Sequence, residues 1–226
     1  MGDAVHQDQV RTLLERGVVT LQLNLTDKQI NQLLSYLQLL IKWNGVYNLT
    51  SVRNPVEMVR QHLLDSLSAA FAFDHAKNVL DVGSGGGLPG IVLAIVYPEI
   101  KIALIDTVNK KTAFLKQVKA ELDLTNVTVH TGRVEQLIVA ELFDVITSRA
   151  FSELANFVNW AGHLLADGGH MLALKGLLPD AEIALLPDGW TLSRTQQLMV
   201  PGLEAQRHLL WLERQSKSVD KQGGCL

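Results

Sequence analysis

Cysteine is almost missing from this sequence. The single copy, Cys225, is the penultimate residue of a polar tail, SKSVDKQGGCL, so a disulfide framework is ruled out and the thiol is badly placed for a nucleophile. No apolar stretch nears the roughly 18 residues needed to span a bilayer. The N-terminal MGDAVHQDQVRTLLERG carries acids where a secretory signal keeps an apolar run, and His6 stands where a myristoylation signal wants Ser or Thr. Neither sign of charge dominates: 20 basic against 23 acidic residues leave a net charge of −3, which argues against a general polyanion binder. His6, His75, His130, His163 and His170 show no metal-ligand spacing, so no metal is expected. What remains, 226 residues at 47% apolar and 19% charged, is an ordinary globular composition. It suits one large domain, or one domain with an appendage. The expectation is a cytoplasmic monomer off the membrane.

Two periodicities divide the chain. Up to about residue 75 the pattern is helical. TDKQINQLLSYLQLLIKWNG opens with Thr26 and Gln29 in capping-box spacing, then repeats apolar residues at Ile30, Leu33, Leu34, Leu37, Leu40 and Ile41, with Gly45 suited to its end. A second helix is expected from NPVEMVRQHLLDSL, with Asn54 as N-cap and Pro55 in the first turn. From about 77 short strand-like runs alternate with helical ones: NVLDV (78–82), KIALID (101–106), VTVH (127–130), FDVIT (143–147) and HMLALK (170–175). That alternation reads as βαβ units around a parallel sheet. WTLSRTQQLMV (190–200) and RHLLWLER (207–214) are joined by a loop short enough to force an antiparallel pair. The expected organisation is a helical N-terminal cap over 1–75, a doubly wound α/β domain over 76–214, and a flexible tail over 215–226.

LDVGSGGGLPG (80–90) places Gly83, Gly85, Gly86, Gly87 and Gly90 in the turn after the first strand. A tight turn explains one or two glycines, and five imply a ligand against the backbone. In an open parallel sheet that turn sits beside the switch point where ligands bind, and the helix that follows offers its N-terminus to an anionic group. Gly85, Gly87 and Gly90 match the dinucleotide pattern G-x-G-x-x-G. Gly83, Gly85 and Gly87 directly after Asp-Val match the D-x-G-x-G-x-G turn of methyltransferases. Asp106, at the end of the second strand, suits the ribose hydroxyls of an adenosine in either case. The residues alone leave a nicotinamide-dependent oxidoreductase open beside an S-adenosylmethionine-dependent methyltransferase; the antiparallel pair at the end favours the second. A non-catalytic RNA-binding module would use the lysines of 101–119 and the scattered arginines without using the loop.

NLTSV (48–52), HLLDS (62–66), LDVGSGGGLPG, SRAF (148–151), ALKG (173–176) and RHLL (207–210) follow one another along the chain. Together they closely resemble the ribosomal RNA small subunit methyltransferase G family (RsmG/GidB) over roughly residues 20–212. The resemblance implies a Rossmann-like class I S-adenosylmethionine-dependent methyltransferase fold, a seven-stranded sheet with an antiparallel last strand behind a helical N-terminal region. It implies methylation of N7 of one guanosine in a 16S rRNA loop near the decoding site, with free 16S rRNA, the small ribosomal subunit or an assembly intermediate as partner. One departure is plain: the family carries Arg or Lys directly before the His of HxxDS, whereas here Gln61 stands there and Arg60 one earlier. That moves the charge by about 100° around a helix.

By this resemblance Gly83, Gly85 and Leu88 contact the methionine end of the cofactor, Asp106 the ribose, and Val134 and Glu135 the adenine. The bland alternative for Glu135 is that it simply starts a helix. Arg149, after the fourth strand, is expected against cofactor or reacting groups, with an ion pair to Asp144 or Glu153 as the bland alternative. Asn48, His62, Asp65, Arg133 and Lys175 are expected around the acceptor. His62 and Asp65 share a helix face, which admits a catalytic pair or a structural tie between cap and sheet. Trp43 and Tyr47 suit core packing better than base stacking. No N/D-P-P-Y follows strand four and no cysteine is placed to attack a ring carbon. Guanine N7 needs neither, because it presents an in-plane lone pair. A methyltransferase for another RNA, a small molecule or a protein is the nearer alternative.

Overall fold

The structure, a computed structural model, describes residues 2–149 and 152–215. The expected tail and Cys225 lie outside the described residues, apart from residue 215. Among the described residues no helix is long and apolar enough to cross a membrane.

Seven strands form one sheet: β1 (Asn78–Val82), β2 (Lys101–Asp106), β3 (Val127–Thr131), β4 (Phe143–Arg149), β5 (Leu165–Lys175), β6 (Trp190–Gln197) and β7 (His208–Arg214). Their order is β3-β2-β1-β4-β5-β7-β6. The first five run parallel, and β7 lies antiparallel to both β5 and β6. The central parallel strands are mostly apolar because helices cover both faces. Val79, Ile102, Leu104, Val145 and Leu172 pack into one core, while Leu80, Val82, Ala103, Ile105, Ile146 and Met171 pack into the other. β5 begins five residues earlier than its apolar run suggests. Leu165 lies opposite Phe143 and His170 opposite Val145, so the polar stretch between them bulges out, with Gly168 at φ 75°.

The helices fill in around this frame. α1 (Gly2–Thr20) and α2 (Asp27–Tyr47) precede a compound helix of α3 (Pro55–Met58), a π-helical segment (Val59–Leu64) and α4 (Asp65–Leu67). α5 (Gly90–Val96), α6 (Asn109–Glu121), α7 (Leu154–Ala161) and α8 (Asp180–Ala184) connect the strands. Thr26 and Gln29 form the expected capping box, and Gln29 Nε2 also donates to the Ile95 and Val96 carbonyls at the end of α5. α2 does not stop at Gly45. It runs on to Tyr47, and Asn48 takes the left-handed conformation at φ 51°, which Asn tolerates better than most residues. The N-terminal helices share a core with the sheet: Leu14, Leu33, Tyr36, Leu37 and Leu40 pack in the same cluster as Ile91, Phe114 and Leu115. Trp43 lies against Phe114, ring centroids 5.5 Å apart, and donates from its indole N–H to Gln117 at 3.0 Å.

Candidate active site

The C-terminal ends of the central strands open onto two cavities that meet at Gly83, one of about 530 Å³ and one of about 270 Å³. The glycine loop divides into two jobs between them. Gly83 (φ 69°) and Gly85 (φ 56°) need the left-handed backbone, and a Cβ on Gly85 would meet nothing nearer than the Gly83 carbonyl at 3.7 Å. The space above Gly85 therefore belongs to the larger cavity, which it lines. Gly87 and Gly90 serve packing instead. A Cβ on Gly87 would lie 2.5 Å from Ile91 Cγ1, and one on Gly90 would lie 2.2 Å from Leu104 Cδ2.

The helix start after this loop gives its first N–H to a side chain of the sheet. Pro89 stands just before α5, and the Gly90 N–H donates to Asp81 Oδ2 at 3.0 Å. Asp81 is fully buried in β1, its Oδ1 has no partner, and burial pushes its carboxyl up to about 7 against the pull of that N–H. An acid inside an otherwise apolar strand was the signal for it. From α2, the buried Tyr36 hydroxyl donates to the Gly86 carbonyl at 2.5 Å and fastens the loop from its other side. Burial pushes that phenol far above its ordinary range.

Asp106 walls the smaller cavity. Its Oδ2 accepts from Gly85 N–H at 3.0 Å and its Oδ1 from Val108 N–H at 2.9 Å, with Lys111 Nζ at 3.4 Å. Val134, Glu135 and Arg133 form the facing wall, and Ile105 and Trp160 complete it. Arg133 is largely exposed and lies 3.8 Å from Glu135. The residues expected around the adenosine thus line one cavity together, and Arg133, expected near the acceptor, lines it with them. Lys111 and Trp160 were not anticipated.

Around the larger cavity stand Leu88, His62, Asp65, Arg149 and Lys175, with Thr50, Gln61 and Arg207. Arg149 pairs with neither Asp144 nor Glu153. Its Nη1 donates to Asp65 Oδ2 at 2.9 Å and to the Gln61 carbonyl at 2.9 Å, while Asp144 accepts from the Lys77 and Asn78 N–H groups. Arg207 Nε donates to the other oxygen of Asp65 at 2.7 Å. Lys175 is held by Glu182 at 2.8 Å and by the Ser152 carbonyl at 2.9 Å. His62 Nε2 lies 2.8 Å from Thr50 Oγ1, and burial, with the Arg149 charge next, pulls its pKa down to about 4. A neutral imidazole at physiological pH follows.

Asn48 caps α2 from an exposed position just outside this lining, accepting from Arg53 at 2.8 Å. The buried Asn44 shapes the loop instead, accepting from Thr50 N–H at 2.9 Å and donating to the Val52 carbonyl at 3.1 Å. Gln61 lines the cavity, whereas Arg60 turns to Glu57 at 2.5 Å and packs against Gly202. The one-residue shift has taken the cation off the cavity wall.

Residues 29–210 match the family model described as GidB, rRNA small subunit methyltransferase G. The chain is 62% identical over 206 residues to the ribosomal RNA small subunit methyltransferase G of Janthinobacterium sp. (strain Marseille), covering 89% of this chain and 94% of that protein. It is 61% identical, with the same coverage, to the protein of that name from Herminiimonas arsenicoxydans. Among solved structures, an O-methyltransferase from Bacillus cereus in complex with SAH aligns at a TM-score of 0.55 and 17% identity. That alignment covers 79% of this chain and 90% of the other, and at such identity it shows a shared fold.

Proposed function

The chain belongs to the rRNA small subunit methyltransferase G family, and from that premise we propose that it moves the methyl group of S-adenosylmethionine to N7 of one guanosine in a 16S rRNA loop near the decoding site. The supporting observation is the pair of cavities meeting at Gly83, one walled by Asp106 and the other by Arg149 and Asp65. An elongated cofactor with a neutral nucleoside end and a charged amino-acid end fits that division. Asp106 would take the ribose, Val134 and Glu135 the adenine, and Gly83, Gly85 and Leu88 the methionine end. The cofactor supplies an electrophilic methyl group on a sulfonium.

The chain's own task is positioning. N7 carries no proton, so no general base is required, and His62, neutral and bonded to Thr50, has no proton to accept in this reaction. Arg149 stands at the end of β4 beside the reacting groups, with Asp65, His62 and Lys175 around the acceptor and Asn48 at the rim. Arg133, beside the adenosine residues, is left to meet phosphate. A guanosine in a single-stranded loop can be splayed out of its stack to reach such a cavity. Holding it in line with the methyl group accounts for catalysis through orientation and desolvation.

The test has two arms. Calorimetric titration should show binding of S-adenosylhomocysteine and none of NADH. Incubation with the methyl donor and either naked 16S rRNA or assembled small subunits, followed by aniline scission at 7-methylguanosine, should give one cleavage. Binding of NADH alone, or methylation at an atom other than N7, overturns the proposal.

A further inference from the structure

The larger cavity carries an electrostatic problem. Three cationic side chains line it, Arg149, Arg207 and Lys175, with one acid, Asp65. Lys175 is already offset by Glu182 at 2.8 Å. His62 adds no charge near neutral pH. The two guanidinium groups then stand against a single buried carboxylate, each on its own oxygen, at 2.9 Å and 2.7 Å. Any ligand group entering here meets a net positive cluster that Asp65, the one acid of the lining, keeps from being doubly positive.

A sulfonium is a cation, and 7-methylguanosine is one as well. Methyl transfer moves the positive charge from sulfur to the purine ring, so the site holds a ligand cation before and after the reaction. We propose that Asp65 is the positioning residue of this site: it clamps Arg149 and Arg207 and supplies the counter-charge that lets a guanidinium-walled cavity accept a cationic cofactor. This rests on the methyltransferase reading above. Asp65 reaches Arg149 and Arg207 from the helical region, across sequence separations of 84 and 142 residues, and is almost completely buried. Low local polarisability strengthens its field over the distance from wall to ligand. The second arginine guards the geometry, because a carboxylate held on both oxygens cannot swing to meet the ligand directly.

The discriminating measurement compares two ligands that differ by this charge. S-adenosylmethionine carries the sulfonium, and S-adenosylhomocysteine has a neutral thioether in its place. In Asp65→Asn the ratio of their dissociation constants should move against the sulfonium by about tenfold, the effect of one unit of charge at a partly screened site. In Arg207→Gln, which leaves one guanidinium on Asp65, the ratio should move in the opposite direction. A merely structural role for Asp65 would weaken both ligands alike and leave the ratio unmoved. Asp65→Asn strands two buried cations and can fail to fold; in that event the sign of the shift in Arg207→Gln decides. An unchanged ratio in the folded variants, or a shift of the wrong sign in Arg207→Gln, overturns the proposal. Failure of wild-type protein to bind either ligand would instead sink the methyltransferase reading.

Discussion

At the scale of single residues, the glycine loop separates positions that look alike in the sequence. Gly85 is left-handed under open space, and Gly90 is wedged between Leu104 and Asp81. Gly85→Ala should cost about 1–2 kcal/mol of backbone strain and weaken S-adenosylhomocysteine at least about tenfold, because the methyl group enters the cavity. Gly90→Ala should do the reverse, costing about 1–3 kcal/mol through overpacking with a smaller loss of affinity in the protein that remains folded. Thermal melts beside calorimetric titrations separate the two; equal affinity losses would show that the loop acts as one unit. Asp81 gives a pH signature. Burial pushes its carboxyl up to about 7, from 3.8 for a free side chain, so the folded state binds the proton more tightly and stability falls as pH rises from about 4 to 7. His62 runs the other way, its stability contribution fading as pH falls from 6.5 towards 4. The two slopes partly cancel in the wild type. Asp81→Asn removes one of them, so its stability relative to wild type should climb by on the order of a few kcal/mol between pH 4 and 7 and then level. Urea midpoints across that range check it, and a flat difference would mean that Asp81 is solvated.

At the scale of elements, the active-site walls are built by segments whose shape depends on distant partners. The π-helical turn Val59–Leu64 carries His62 and delivers Asp65 to Arg149 at the end of β4 and to Arg207 just before β7, yet an i→i+5 turn has no sequence signature and NPVEMVRQHLLDSL reads as an ordinary helix. Arg207 was visible only as the first residue of RHLL, because its partner lies 142 residues away. The strands of the parallel sheet were legible, since burial on both faces demands unbroken apolar runs. The start of β5 was not, because its bulge is written in polar residues and glycines. The end of α2 was misread at Gly45 because glycine is the usual left-handed cap and Asn48 takes that place here. Asn44, one turn earlier, holds the loop 48–52 through both ends of its amide. Asn44→Ala should therefore lower stability by about 1–2 kcal/mol, the cost of leaving a part-buried loop amide and carbonyl without their partner. It should also impair methyl transfer to RNA more than S-adenosylhomocysteine binding, since Leu49, Thr50 and Val52 line the larger cavity and not the smaller one. Equal losses in both assays would mean the loop also supports the cofactor.

At the scale of the whole molecule, the change of periodicity near residue 77 marks a change of secondary structure, and the packing runs straight across it. Tyr36 and Gln29 bond to the glycine loop and to α5, Gln32 donates to the Leu122 carbonyl after α6, and Asp65 ties the compound helix to β4 and to the loop before β7. Leu14, Leu33 and Leu40 are completely buried in the core that also holds Ile91 and Phe114. A sequence boundary read from composition cannot register this, because apolar faces on a helix and on a sheet look the same whether they meet each other or a partner elsewhere. If the helical region and the sheet are one cooperative unit, the full chain should melt in a single transition with equal calorimetric and van't Hoff enthalpies. A chain of residues 76–215 should then fail to fold, since it would expose the apolar faces of α5 and α6 together with one side of the sheet. It would also lose Tyr36, Thr50, His62 and Asp65, and with them one wall of the larger cavity. Two resolved transitions, or a folded 76–215 fragment that binds S-adenosylhomocysteine, would show instead that the helices are an appendage to an independent cofactor domain. The two results assign the helices different work. In a single unit, whatever orders one of the two cavities also stabilises the other, so bound RNA should tighten S-adenosylmethionine and the cofactor should tighten RNA by the same factor.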